Sequence, residues 1–259
     1  MNTSASGIAK QMLSKVPEVT IFFWIIKIMA TTVGETAADF LNADLHFGLT
    51  GTSIFMGGLL TIALVFQLRA QRYVPSIYWI SVVLLSVFGT LVTDNLVDNF
   101  GVAMQTITII FSVALTATFV AWYASEKTLS IHSIHTTRRE VFYWVAILFT
   151  FALGTAAGDL IAEGMHLGYA ISALAFGAII AVIALAHYAF KLNAVLAFWI
   201  AYILTRPFGA SCGDWLAKPI AEGGIGLGTV GTSAIFLATI LGLVVYLTIS
   251  QRDSLLRKE

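Results

Sequence analysis

Cysteine, proline and charge are all scarce in this chain. A single cysteine, Cys212, excludes an intramolecular disulfide framework and a thiolate metal cluster. Charged residues make up 11% of the 259 positions, less than half of the roughly 25% usual in soluble domains. Too little polar surface exists to cover a water-exposed globule. Lys and Arg balance Asp and Glu at 14 each, and no basic stripe gathers, so a nucleic-acid partner is excluded. The N-terminal stretch from Met1 to Lys15 is polar and lacks a short apolar core before a small-residue cleavage site, which reads as no removable leader. No nucleophile motif, phosphate loop or helical His/Glu metal motif occurs, so an enzyme is not expected.

Apolar residues are what the chain has, at 58%. They fall into runs of about 20, the length that crosses a bilayer as a helix. The runs predict an all-α membrane protein with eight transmembrane helices, near 19–41, 50–68, 76–97, 103–123, 141–161, 168–189, 194–216 and 229–249. Loops are short, so residues 1–259 form a single transmembrane domain. The longest loop runs from Ser125 to Glu140 and carries His132 and His135, which read as solvated loop residues. Eleven Lys and Arg fall on one side of the spans, only Lys218 falls on the other, and Lys27 and Arg206 lie within spans. That bias puts both termini in the cytoplasm.

A motif recurs four times. Trp24, Trp79, Trp144 and Trp199 each open an odd-numbered helix. Ten residues on stand Gly34, Gly89, Gly154 and Gly209, and five further Asp39, Asp94, Asp159 and Asp214. A second register relates the halves 16–131 and 136–251: Trp24 to Trp144 and Trp79 to Trp199 are each 120 residues, and His46 and His166 keep that spacing. Each unit contributes two helices, so all four are parallel and related by an axis along the membrane normal. Equivalent aspartates would then meet around that axis. The tryptophans read as interfacial anchors. The glycines read as contacts for close helix packing, with Gly154/Gly158 and Gly209/Gly213 at four-residue spacing.

With its four tryptophans, the segment Lys15–Thr20, and Thr31–Asp39 (TTVGETAAD), the chain resembles a bacterial membrane-protein family. That family has four tandem two-helix repeats and was long catalogued as a repeat of unknown function. The resemblance implies the eight-helix architecture and a bacterial cytoplasmic membrane. Through an association with manganese transport, it also implies a divalent metal as cargo.

Ionisable groups inside a bilayer cost about 2.5–3.5 kcal/mol each on insertion scales. The odd helices carry Lys27, Glu35, Asp39, Asp94, Asp159, Arg206 and Asp214, and the even helices almost none. The odd helices should therefore lie inside and the even ones face lipid. One turn before the aspartates stand Glu35, Thr90, Thr155 and Ala210. Five acids against two bases must take up protons or bind a cation. Oxygen ligands suit Mg, Ca or Mn, and His46 and His166 beside Asp39 and Asp159 would favour Mn, Fe or Zn. Lys27 and Arg206 would be internal counter-charges, and Pro207 a kink beside Arg206.

The expected function is a transporter of a cation, with a divalent metal such as Mn among the cargoes considered. The ion-binding residues would be Asp39, Asp94, Asp159, Asp214, Glu35, Thr90 and Thr155. A proton-coupled carrier of another small solute is one alternative, and a structural or sensory protein with static buried ion pairs is another. The expected partners are lipid, the transported ion or solute, and a second copy in a homodimer. No resident cofactor is expected.

Overall fold

The computed structural model describes residues 14–44 and 47–253. Eight helices among them are long and apolar enough to cross a membrane. We number them α1 (Ile21–Asp39), α2 (Gly48–Arg69), α3 (Pro75–Asp94), α4 (Met104–Glu126), α5 (Thr137–Asp159), α6 (Tyr169–Phe190), α7 (Ala194–Ala217) and α8 (Gly228–Ser250). Three of the eight starts are capped by short polar side chains. Thr20 accepts from the Phe23 amide, Thr136 from that of Arg139, and Asn193 from those of Val195 and Leu196. These bonds satisfy amides that have no partner in the first helical turn.

The odd helices form an inner ring and the even helices an outer layer. In α1, α3, α5 and α7, 61, 61, 61 and 56% of the spanning window is buried, against 22, 22, 17 and 28% in the even helices. Around the ring α1 packs on α3, α3 on α5, α5 on α7, and α7 on α1. Each even helix lies against the odd helix of the next repeat: α2 on α3, α4 on α5, α6 on α7, and α8 back on α1. This order distributes the polar and glycine-rich helices inside and leaves Ile54, Ile109, Leu174 and Leu241 of the outer layer to lipid.

The repeat glycines are the ring's closest approaches. A Cβ on Gly34 would lie 1.9 Å from Ser86 Oγ, one on Gly89 2.7 Å from Phe151 Cβ, one on Gly154 2.3 Å from Arg206 Cγ, and one on Gly209 2.0 Å from Thr31 Oγ1. Each glycine therefore meets the residue three positions before the glycine of the next repeat, and the fourth closes on the first. Gly158 lies along Pro207, and Gly213 along Thr32 and Glu35. Small residues let backbones approach where lipid supplies no hydrophobic drive for association. Helix α7 runs without interruption through Pro207.

The tryptophans are not interfacial anchors. Trp79, Trp144 and Trp199 are buried, and Trp24 is half-buried. Because the odd helices are inside, their opening tryptophans point at neighbouring helices. With Phe23, Tyr78, Tyr143 and Tyr202 they make an aromatic layer across the Lys/Arg-rich half of the ring. Tyr78 and Tyr143 share a 2.5 Å hydroxyl contact within it.

The two ends of the described chain meet on that same face, where the Glu18 amide donates to the Asp253 carbonyl at 3.0 Å. Nearby, Lys15 Nζ donates to Glu140 Oε2 at 2.7 Å and to the Leu68 carbonyl at 3.0 Å. Gln67 Nε2 donates to the other Glu140 oxygen at 2.9 Å. The arrangement staples the N-terminal segment across α2 and α5. Glu140→Gln keeps the volume but removes the charge facing Lys15. It is expected to lower stability by about 2 kcal/mol, the scale of a charged hydrogen bond, measured as detergent-solubilised thermal unfolding against wild type.

Candidate functional site

The site grows from the ring of positions one turn before the aspartates. Three of the four repeats present an oxygen there: Glu35, Thr90 and Thr155. The fourth presents Ala210, and its preceding turn supplies Arg206 instead. Arg206 occupies the position held by Thr31, Ser86 and Phe151 in the other repeats. It is fully buried. Its Nη2 donates to Glu35 Oε2 at 2.9 Å, to Thr155 Oγ1 at 2.7 Å, and to Thr90 Oγ1. Its Nη1 donates to the Thr31 carbonyl at 3.1 Å. One guanidinium thus joins all four repeats at the centre of the bundle. The glycine contact with α5 makes this possible, because Gly154 leaves room for the Arg206 stem.

Glu35 has acids on another side. Carboxylate oxygens of Glu35, Asp159 and Asp214 all lie within 4.8 Å of one another. Glu35 and Asp214 are buried, and Asp159 is half-buried. The close α1–α7 approach at Gly213 sets Glu35 against Asp214. Oxygens at this spacing match the ligand set of a hard divalent cation. In α1, α3 and α5 the aspartate stands where the α-helix passes into a wider π-type turn, Phe40–Asp44, Asn95–Asn99 and Leu160–Gly164. Such turns are frequent at functional sites.

The remaining predicted residues lie apart from this group. Asp39 pairs with Lys218 at 3.3 Å, both partly exposed at the face opposite the termini. Burial pulls the Lys218 ammonium down, but Asp39 and Asp214 outweigh it and hold it above its ordinary value. Asp94 is half-buried and stays outside the three-acid group. His166 is exposed in the loop after the α5 turn, with a left-handed backbone, and joins no three-donor group among the described residues. His46 lies outside the described residues. The acids gathered here are therefore Glu35, Asp159 and Asp214, where sequence spacing had paired Asp39 and Asp159 with histidines.

Lys27 departs from its expected role as a counter-charge. Among the described residues no carboxylate lies within ion-pairing distance of it. Its Nζ sits 4.4 Å from the Phe151 ring centre and 4.3 Å from that of Tyr202, and donates to Thr205 Oγ1 at 3.3 Å. Two aromatic faces and one hydroxyl surround the fully buried amino group. Arg206 does pair with Glu35, as a counter-charge should. Its contacts to Thr90 and Thr155 are visible only once the repeats are aligned and the ring order is known.

Four segments, 22–73, 77–128, 142–193 and 197–253, match the family described as Repeat of Unknown Function, DUF347. The chain belongs to the DUF347 family. The four matched segments follow the four two-helix units, so the DUF347 repeat is one inner helix with the outer helix that follows it. Neither the curated proteins nor the solved structures contain a match to the chain. Within this DUF347 chain the repeats are alike in sequence at glycine and aspartate, and differ at Glu35, Arg206 and Ala210.

Proposed function

We propose that this protein is a multi-pass transporter of a cation, with a divalent metal such as Mn(II) as the first candidate, in a bacterial cytoplasmic membrane. The observation that carries the reading is the buried Glu35–Asp159–Asp214 group beside Arg206. Three acids and one guanidinium leave a formal charge of about −2, which one divalent ion or two protons would neutralise. Asp159 and Asp214 would hold the ion, and Glu35 would divide its oxygens between the ion and Arg206. Lys218 and Asp39 would meet the ion at the outer face. Transport fits this arrangement better than catalysis, because among the described residues no nucleophile with an adjacent base accompanies the acids.

A second reading rests on Arg206, whose contacts to Glu35, Thr90 and Thr155 suit a static ion pair that only holds the bundle together. The two readings separate in one experiment. The purified protein is titrated calorimetrically with Mn(II), Mg(II) and Zn(II), beside Asp159→Asn/Asp214→Asn. Saturable binding by wild type that weakens on the order of a hundredfold in the double variant, about 2.7 kcal/mol, is the expected result, followed by loss of flux in liposomes. Binding that the double variant keeps unchanged would sink the metal reading. A folded wild type that binds none of the three leaves proton coupling to another solute, or static pairing.

A further inference from the structure

The fourth repeat departs from the other three beyond its aspartate. Its matched segment is five residues longer than each of theirs. In the first three, the aspartate leads into a π-type turn and the outer helix begins nine or ten residues after it. Helix α7 instead continues through Asp214 to Ala217, and α8 begins fourteen residues after the aspartate. The lengthened loop opens with Lys218, the only Lys or Arg that the described residues place on this face.

The loop is built around that lysine. Its amide donates to the Asp214 carbonyl at 2.8 Å, and its carbonyl accepts from the Gly226 amide at 3.0 Å. The Ile225 and Leu227 amides donate back to the Trp215 and Leu216 carbonyls at 2.7 and 2.9 Å. Gly224 lies against the Lys218 carbonyl, where a Cβ would stand 2.0 Å away. The backbone is therefore fixed by bonds that do not involve the Lys218 side chain. The ammonium sits at the end of a flexible four-carbon stem and reaches Asp39 Oδ2 at 3.3 Å, with 30% of the side chain exposed.

The charges sort by repeat. Both cations of the fourth repeat serve acids of the first: Arg206 pairs with Glu35, and Lys218 with Asp39. Asp214 is a different case. It is 6% exposed, yet its carboxylate has no hydrogen-bond or ion-pair partner among the described residues. It lies with Glu35 and Asp159 in the three-acid group. A buried carboxylate without a bonded partner is costly, and a cation beside it relieves that cost. Asp39 and Asp214 are the two charges that act most strongly on the Lys218 ammonium. The lysine thus stands in the field of both the surface acid and the buried one.

We propose that Lys218 is a tethered rival of the transported cation. Its ammonium occupies the outer end of the carboxylate group on Asp39, and a divalent ion binds at Asp159 and Asp214 only against it. Lys218 thereby sets the affinity of the site from the face opposite the termini. A site that passes ions on must hold them weakly enough to release them, and an internal competitor does this without removing a ligand. The proposal rests on the cation reading of the Glu35–Asp159–Asp214 group and adds the residue that limits its affinity.

The test is calorimetric titration with Mn(II) of the full chain purified in detergent, as wild type, Lys218→Gln, Lys218→Met, Lys218→Arg and Arg72→Gln. The Gln and Met variants are expected to bind on the order of tenfold more tightly than wild type, about 1.4 kcal/mol. Two neutral replacements are used so that one misfolded variant does not decide the outcome. Lys218→Arg keeps the charge and should gain less than either. Arg72→Gln removes the same charge from an exposed position on the opposite face and should bind as wild type does, which separates a local rival from net charge. Mn(II) binding by the neutral variants alone would support the proposal in its strongest form. Folded neutral variants that bind no more tightly than a wild type that does bind would overturn it and leave the cation reading standing. No binding by any of the five folded proteins would overturn both.

Discussion

Arg206→Gln is expected to destabilise the protein by about 3–5 kcal/mol, the cost of leaving one partner of a buried ion pair alone. The guanidinium is fully buried and is the common donor to Glu35, Thr155, Thr90 and the Thr31 carbonyl. A glutamine amide neither carries the charge nor reaches four acceptors from three helices. Glu35 would be left beside Asp159 and Asp214 with no cation, so the loss should grow as those acids ionise. Arg206→Lys should fall between wild type and Gln, because an ammonium supplies charge without the planar fork. The decisive comparison is the pair Arg206→Met with Glu35→Leu. If the interaction is the ion pair, the double variant recovers most of the loss, and a double-mutant cycle gives a coupling energy of several tenths to about 3 kcal/mol. Thermal unfolding in one detergent measures all four proteins. A single Arg206→Gln variant as stable as wild type would mean the central ion pair contributes nothing.

The eight helices were legible because their cause is local. A bilayer demands about 20 apolar residues per crossing, and each span read from the sequence overlaps its helix with ends differing by a few residues, as 194–216 does with Ala194–Ala217. The inside–outside arrangement was legible too, since buried charge has to face the bundle. The site was legible only in part. Asp159, Asp214 and Glu35 were singled out by repetition and depth, yet the repeat suggested four equivalent aspartates around an axis. Residues outside the motif break that equivalence. Lys218, from the turn after α7, draws Asp39 toward the surface, and Arg206 draws Glu35 to the centre. Neither pairing has a sequence signal until one knows that α7 closes on α1. The tryptophans failed for a related reason. A tryptophan at a helix start suits an interface or a helix contact equally well, and only the ring position decides between them.

The glycine ring gives the second large effect. Gly154→Ala is expected to lower stability by about 3 kcal/mol, the upper end of ordinary overpacking. The added methyl would stand 2.3 Å from Arg206 Cγ, 2.5 Å from its Cβ and 3.0 Å from Pro207 Cδ. None of these atoms is a free side-chain end. Arg206 is pinned at its far end by Glu35, Thr90 and Thr155, and Pro207 is fixed to the backbone of α7. The helices must therefore separate, and separation moves the guanidinium away from its acceptors, so packing and electrostatics fail together. Gly34→Ala should cost less, because its closest neighbour is the Ser86 hydroxyl oxygen, which can rotate, although Ser86 Cβ at 2.7 Å still resists. Gly58 and Gly231 meet nothing within 4 Å. Alanine there should be neutral or stabilise by up to about 1 kcal/mol through helix propensity. Unfolding temperatures for the four alanine variants test the ordering Gly154 below Gly34 below Gly58 and Gly231. Equal temperatures across the set would mean that the α5–α7 contact has slack, and that Arg206 is held by its ion pair alone.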